Sequence, residues 1–173
     1  MKKALIVVDY QNDFVSGTLG FPGAETLDRP IADRIRRYRA DGEEIIFTFD
    51  THGADYMETQ EGRRLPVPHC LEGGKGHDLY GEVARERRDT DRCFDKDTFG
   101  STQLFDYLRK REFTSIELCG LVLDMCVLSN AVIAKTALPE AEIIIDRHLN
   151  MSFDPEAEKA CYRVMQSLQM EVI

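Results

Sequence analysis

The sequence predicts a single-domain α/β protein in which a parallel β-sheet is covered by helices on both faces. Two observations carry this expectation. Four short apolar runs rich in Val and Ile, each closed by an acidic residue, have the length and composition of buried strands, and amphipathic stretches with helical spacing lie between them. Strand and helix therefore alternate along 173 residues, a length that supports one well-buried core and is short for two ordinary domains.

The first run, ALIVVD, ends at Asp9; the second, EEIIFTFD, ends at Asp50; the third, SIELCGLVLD, ends near Asp124; the fourth, AEIIIDR, ends at Asp146. Helices are expected over 31–39, with Ile31, Ile35 and Tyr38 on one face, and over 101–111, with Leu104, Phe105 and Leu108 inward. Two more are expected over 127–137 and 155–168. Residues 51–92, rich in Gly, His, Glu and Pro, show no clear period before a short helical stretch around 78–86. A connection that long inside a compact domain is usually functional.

The formal charge of -9 argues against nucleic acid as a partner, because phosphate-backbone binding needs a concentrated basic surface. The cluster Arg85, Arg87, Arg88 is interrupted by Glu86 and followed by Asp89, and reads as a solvated helix end. No apolar run is long enough to span a bilayer, and Lys2 and Lys3 lead straight into ALIVVD without a secretory pattern, so a cytoplasmic location is expected. Cys70, Cys93, Cys119, Cys126 and Cys161 form an odd set without CxxC spacing, which favours reduced thiols. DYQNDFVSG follows the first strand where a nucleotide fold would carry a glycine-rich phosphate loop, so neither a nucleotide nor a flavin cofactor is expected. A flavodoxin-like binding module and a non-catalytic scaffold are the competing readings from other classes.

The carboxyl ends of parallel strands share one edge, where ligands bind, and this directs attention to the strand-end acids Asp9, Asp50, Asp124 and Asp146. Asp also ends strands simply because it favours turns. Asp9 stands out because Asn12, Asp13 and Phe14 follow at once. Cys126 lies between a strand and the helix from Val127, where free N–H groups favour a thiolate, whereas Cys119 and Cys161 fall inside elements and read as small buried hydrophobes. Asp50 and His52, with His69 beyond the long loop, combine a carboxylate with two imidazoles, a donor set suited to zinc, iron or manganese.

Three segments in order, VVDYQNDF, FDKDTFGST and CGLVLDMCVLSNA, resemble the signature segments of the isochorismatase-like cysteine hydrolases, which include the nicotinamidases, and they span nearly the whole chain. The resemblance implies one domain over residues 1–173, a three-layer α/β/α fold with a mostly parallel six-stranded sheet. It implies a triad in which Cys126 is the nucleophile, Asp9 accepts and returns its proton, and Lys96 is their charged partner. It further implies a cis peptide between Leu121 and Val122, with the Val122 and Cys126 N–H groups forming an oxyanion hole. Asp50, His52 and His69 would hold a divalent metal, zinc first and iron or manganese as alternatives, with Glu61 or Glu58 a candidate fourth ligand. The implied activity is amidohydrolysis of a small amide, nicotinamide above others, with Phe14 stacked on its ring and Phe99 placed in the core. Lys96 and the helix start are expected to bring the Cys126 pKa below the free value of about 8.5.

A metal-free relative acting on a carbamoyl, ureido or vinyl-ether substrate would keep the triad and dispense with His52 and His69. The chain also departs from the pattern. It has no Trp, so Thr51 and Val67 stand where tryptophans are common beside the metal segments, and RHLNMS after Asp146 is not a small-residue run. Apolar residues on exposed helix faces suggest a homo-oligomer.

Overall fold

The computed structural model describes residues 2–173. Six strands form one sheet: β1 (Lys2–Val8), β2 (Glu44–Asp50), β3 (Arg92–Lys96), β4 (Phe113–Gly120), β5 (Glu142–Asn150) and β6 (Glu171–Val172), in the order β3-β2-β1-β4-β5-β6. Every pairing is parallel, so the expected mostly parallel sheet is wholly parallel. The helices are α1 (Asn12–Val15), α2 (Asp28–Ala40), α3 (Gln60–Arg64), α4 (Gly81–Glu86), α5 (Thr102–Leu108), α6 (Leu128–Ala137) and α7 (Pro155–Ser167).

Side-chain alternation along β1 explains the layers. Leu5 and Val7 face a cluster with Ile31 and Ile35 of α2 and Val83 of α4. Ala4, Ile6 and Val8 face the opposite cluster, with Leu104 of α5, Ala131 of α6 and Met165 of α7. Both faces of β1 are dry, which accounts for its unbroken apolar run.

The chain departs from the sequence expectations at several points. β3 and β6 were not legible as strands: β3 is the edge strand RCFDK, only its last residue is buried, and β6 has two residues. β4 stops at Gly120, short of Asp124, and a single π-helical turn, Leu123–Val127, precedes α6, so Cys126 sits within this turn rather than immediately before a regular helix. The fourth apolar run, expected to end at Asp146, continues as strand to Asn150. Asp146 is taken up by structure, for it accepts a hydrogen bond from Arg34 of α2 at 2.8 Å, and Arg34 also pairs with buried Glu117 of β4.

Strand order turns outward from β1 in both directions, with β2 on one side and β4 on the other, so the crevice at the carboxyl ends of β1 and β4 is the topological switch point. Gly120 permits the close approach there: its φ is 125°, and a Cβ would lie 2.0 Å from the Val8 carbonyl oxygen. Leu121 continues the contact, donating its N–H to the same oxygen at 3.0 Å. No helix among the described residues is long and apolar enough to cross a membrane.

Candidate active site

Asp9 leaves β1 in the left-handed region, φ 46°, a conformation that Asp tolerates better than most residues, and its side chain is fully buried at the switch point. Oδ1 accepts a hydrogen bond from Thr48 Oγ1 at 2.6 Å, and Oδ2 lies 2.6 Å from Lys96 Nζ. The β2–β3 register pairs Asp50 with Lys96, and the ammonium reaches Asp50 Oδ1 at 3.0 Å. The same Nζ is 3.5 Å from Cys126 Sγ. The three residues expected to form a triad thus converge on one ammonium, itself 5% exposed.

Asp50 is shared between two clusters. Its Oδ2 lies 2.9 Å from His52 Nε2 and 3.2 Å from His69 Nε2, and one donor atom from each of the three residues falls within 4.8 Å of the others. His69 Nδ1 donates to the Val67 carbonyl at 2.8 Å, and since a carbonyl only accepts, neutral His69 presents a bare Nε2 lone pair toward Asp50. Acceptors converging this way call for a proton or a cation between them. The donor set therefore fits a divalent metal, and the three residues could hold one. Glu61 Oε1 lies 3.9 and 3.8 Å from the two Nε2 atoms and is placed to complete the set, whereas Glu58 is exposed on the preceding turn.

The electrostatics correct one expectation. Burial pushes the Cys126 thiol well above its ordinary value, Lys96 opposes this, and Asp9 and Asp50 add to it, so the resting side chain is a thiol rather than a thiolate. Burial likewise raises Asp9 against the pull of Lys96, which makes it a stronger base toward that thiol. Asp50 behaves oppositely: burial opposes its charge, but His52, His69 once its Nε2 carries a proton, and Lys96 hold it well below the usual carboxylate range. Burial works against the Lys96 charge too, yet the surrounding acids keep it protonated far above neutral pH.

The Leu121–Val122 peptide is cis, and Val122 caps the start of the π turn that contains Cys126. Phe14 is buried with its ring centroid 5.7 Å from that of His69, while Phe99, expected in the core, is 46% exposed. Phe99 instead lines a cavity of about 390 Å³ together with Thr51, His52, Tyr56, Glu61 and Asp97. Of the four strand-end acids, Asp124 and Asp146 do not join the site.

Sequence reasoning missed two buried amides. Gln11 brackets the end of β2, donating from Nε2 to the Asp50 carbonyl at 2.9 Å and accepting the Asp50 N–H on Oε1 at 2.8 Å. Asn130, one helical turn beyond Cys126, donates from Nδ2 to the carbonyls of Cys126 at 2.8 Å and Phe99 at 3.0 Å, and accepts the Ser101 N–H at 3.1 Å. It ties the loop after Lys96 to the Cys126 turn. Asn130→Asp keeps the shape but cannot donate to either carbonyl, so we expect a lower Tm, with an unmet buried acceptor costing about 1–3 kcal/mol. We also expect kcat to fall about tenfold or more while KM changes little, because a misplacement of about 1 Å is enough for losses of that size. Steady-state kinetics beside thermal unfolding check this; a lower Tm with unchanged kcat would leave Asn130 a purely structural residue.

The family profile described as "Isochorismatase domain" matches residues 3–173. The chain belongs to the isochorismatase family. An uncharacterized isochorismatase family protein of Bacillus subtilis is 30% identical over 168 residues, covering 90% of each chain. The nicotinamidase of Saccharomyces cerevisiae is 27% identical, covering 89% of this chain and 91% of its own length. A crystal structure of a nicotinamidase/pyrazinamidase from Bacillus subtilis matches with a TM-score of 0.86 at 29% identity, over 99% of both chains. Membership makes this chain an isochorismatase-family hydrolase.

Proposed function

We propose that this isochorismatase-family hydrolase is a metal-dependent amidohydrolase that converts nicotinamide to nicotinate and ammonia through a thioester on Cys126. The observation that carries the reading is the double use of Asp50, which contacts the Lys96 ammonium beside the thiol on one oxygen and the two histidines on the other. That linkage brings the thiol and a candidate metal-ligand set together, which is what hydrolysis of a metal-oriented heteroaromatic amide would need. It favours this reading over a metal-free hydrolase, which would have no use for His52 and His69. The names of the similar Saccharomyces and Bacillus proteins support the same substrate.

In the proposed cycle Cys126 Sγ attacks the amide carbon as its proton passes to Asp9. The carbonyl oxygen becomes an oxyanion facing the N–H groups of Val122 and Cys126, donors worth about 3–4 kcal/mol each in such a hole. Asp9 returns the proton to the amide nitrogen, the carbon–nitrogen bond breaks, and ammonia leaves. Water, deprotonated by Asp9, then attacks the thioester; the acid departs and Cys126 recovers its proton. Lys96 keeps Asp9 ionised between transfers and balances the thiolate as it forms. Asp50, His52 and His69, with Glu61 beside them, would hold a divalent cation, zinc the first choice, which would supply Lewis acidity next to the substrate. Phe14 offers an aromatic face beside His69.

Ammonia release is to be measured with nicotinamide and, in parallel, with an N-carbamoyl amino acid. Turnover of nicotinamide alone is expected; turnover of the carbamoyl compound alone would overturn the substrate. Metal should copurify at about one per chain and be lost in His69→Ala. Full activity in a chelating buffer, with no metal by elemental analysis, would select the metal-free alternative.

A further inference from the structure

At the opposite edge of the sheet, residues at the amino ends of β1, β2 and β3 border a cavity of about 450 Å³ whose wall carries Lys2, Arg39, Arg88, Arg92 and Arg111 around Tyr107. The carboxylates of that wall are already engaged. Glu43 accepts the Lys3 N–H at 2.7 Å, Glu44 pairs with Lys2 at 3.1 Å and with the Tyr107 hydroxyl, and Asp91 pairs with Arg39 at 2.6 Å and accepts the Arg88 N–H at 2.8 Å. Three guanidinium groups remain: Arg88, Arg92 and Arg111 have no carboxylate partner among the described residues.

Two of them are held in place. The guanidinium carbons of Arg92 and Arg111 lie 5.7 and 4.4 Å from the Tyr107 ring centroid, a cation–π arrangement that holds both groups at the cavity wall. The Nε–H groups of Arg39 and Arg111 are buried and meet no acceptor among the described residues. On a chain of charge -9, whose overall field repels anions, this concave wall is a local reversal of sign.

We propose that the cavity is a binding site for a small phosphate-bearing anion, remote from Cys126. Guanidinium forks match phosphate oxygens in pairs, and a wall of five cations against three carboxylates suits a dianion better than a monocarboxylate. Both free phosphate and a phosphate monoester present this chemistry.

Arginine Nε–H signals in ¹H–¹⁵N spectra test it, followed as sodium phosphate replaces sodium chloride at constant ionic strength, with a second titration using ribose 5-phosphate. Saturable shifts of the Arg39 and Arg111 signals are expected. Half-saturation should move at least tenfold in Arg92→Gln/Arg111→Gln, read on Arg39. It should also move in Arg88→Gln, an exposed site whose change leaves the core untouched. Tighter binding of the ester points to a phosphorylated metabolite, and equal binding to phosphate itself. Linear shifts matching those in chloride, or saturation unchanged in both variants, would overturn the proposal.

Discussion

Cys126→Ala is expected to abolish turnover, lowering kcat by a factor of 100 or more, while leaving the fold intact. Among the described residues Cys126 carries the one thiol in contact with the Lys96 ammonium, at 3.5 Å, which is what suits it to the nucleophile's role. Removing a single sulfur from this buried turn leaves a small cavity, a modest loss of stability that should not prevent folding. Cys126 packs in the same apolar cluster as Cys161, but only Cys126 meets the Lys96 ammonium; Cys161 faces the Leu123 carbonyl and Cys119 the opposite cluster, so replacing either should alter Tm rather than kcat. Retention of more than about a tenth of wild-type kcat in Cys126→Ala would rule out a covalent mechanism.

Lys96→Met carries the second large effect and acts on stability and chemistry together. The ammonium is 2.6 Å from Asp9 and 3.0 Å from Asp50, both buried, and removing it leaves two carboxylates facing each other without a cation. Breaking a buried pair in this way costs about 3–5 kcal/mol. The thiol reports the other half. Because Lys96 is the group that lowers the Cys126 pKa against burial and two acids, its loss must raise that pKa further. The rate of alkylation by iodoacetamide, followed against pH on the Cys126 peptide of chelator-treated protein, should show a wild-type midpoint above the free value of about 8.5 and a Lys96→Met midpoint higher still. The sign is specific: reactivity gained on raising pH is delayed, not advanced, by the substitution. Equal midpoints would remove Lys96 from the electrostatics of the nucleophile.

Much of this was legible in the sequence, for identifiable reasons. β1 and β2 are buried on both faces, so their apolar runs were continuous and their closing residues, Asp9 and Asp50, fell at the shared edge. Lys96 was different. On an edge strand, RCFDK has too little burial to leave a pattern, and only the resemblance of FDKDTFGST to the family singled it out. The bridging role of Asp50 depends on the register that sets it beside Lys96, a tertiary fact with no local signature. Asp124 and Asp146 had the same strand-end appearance as Asp9, but one falls in the π turn and the other is neutralised by Arg34. The thiol pKa was misread because only Lys96 and the helix start were weighed, whereas burial and the charges of Asp9 and Asp50, at the ends of β1 and β2, outweigh them. Asn130 left one usable signal, an amide one helical turn from the nucleophile among the apolar residues at the start of α6.

The central claim, an acyl thioester formed from nicotinamide on Cys126, is tested most directly by intercepting it. Hydroxylamine added during turnover competes with water for a thioester and yields the hydroxamate of the substrate acid. Wild-type protein should release ammonia from nicotinamide and divide the product between nicotinate and nicotinohydroxamate, with the hydroxamate share rising with hydroxylamine concentration and both products absent in Cys126→Ala. Ammonia released with nicotinate as sole product at every hydroxylamine concentration would mean that water attacks the amide directly, and would contradict the role given to Cys126.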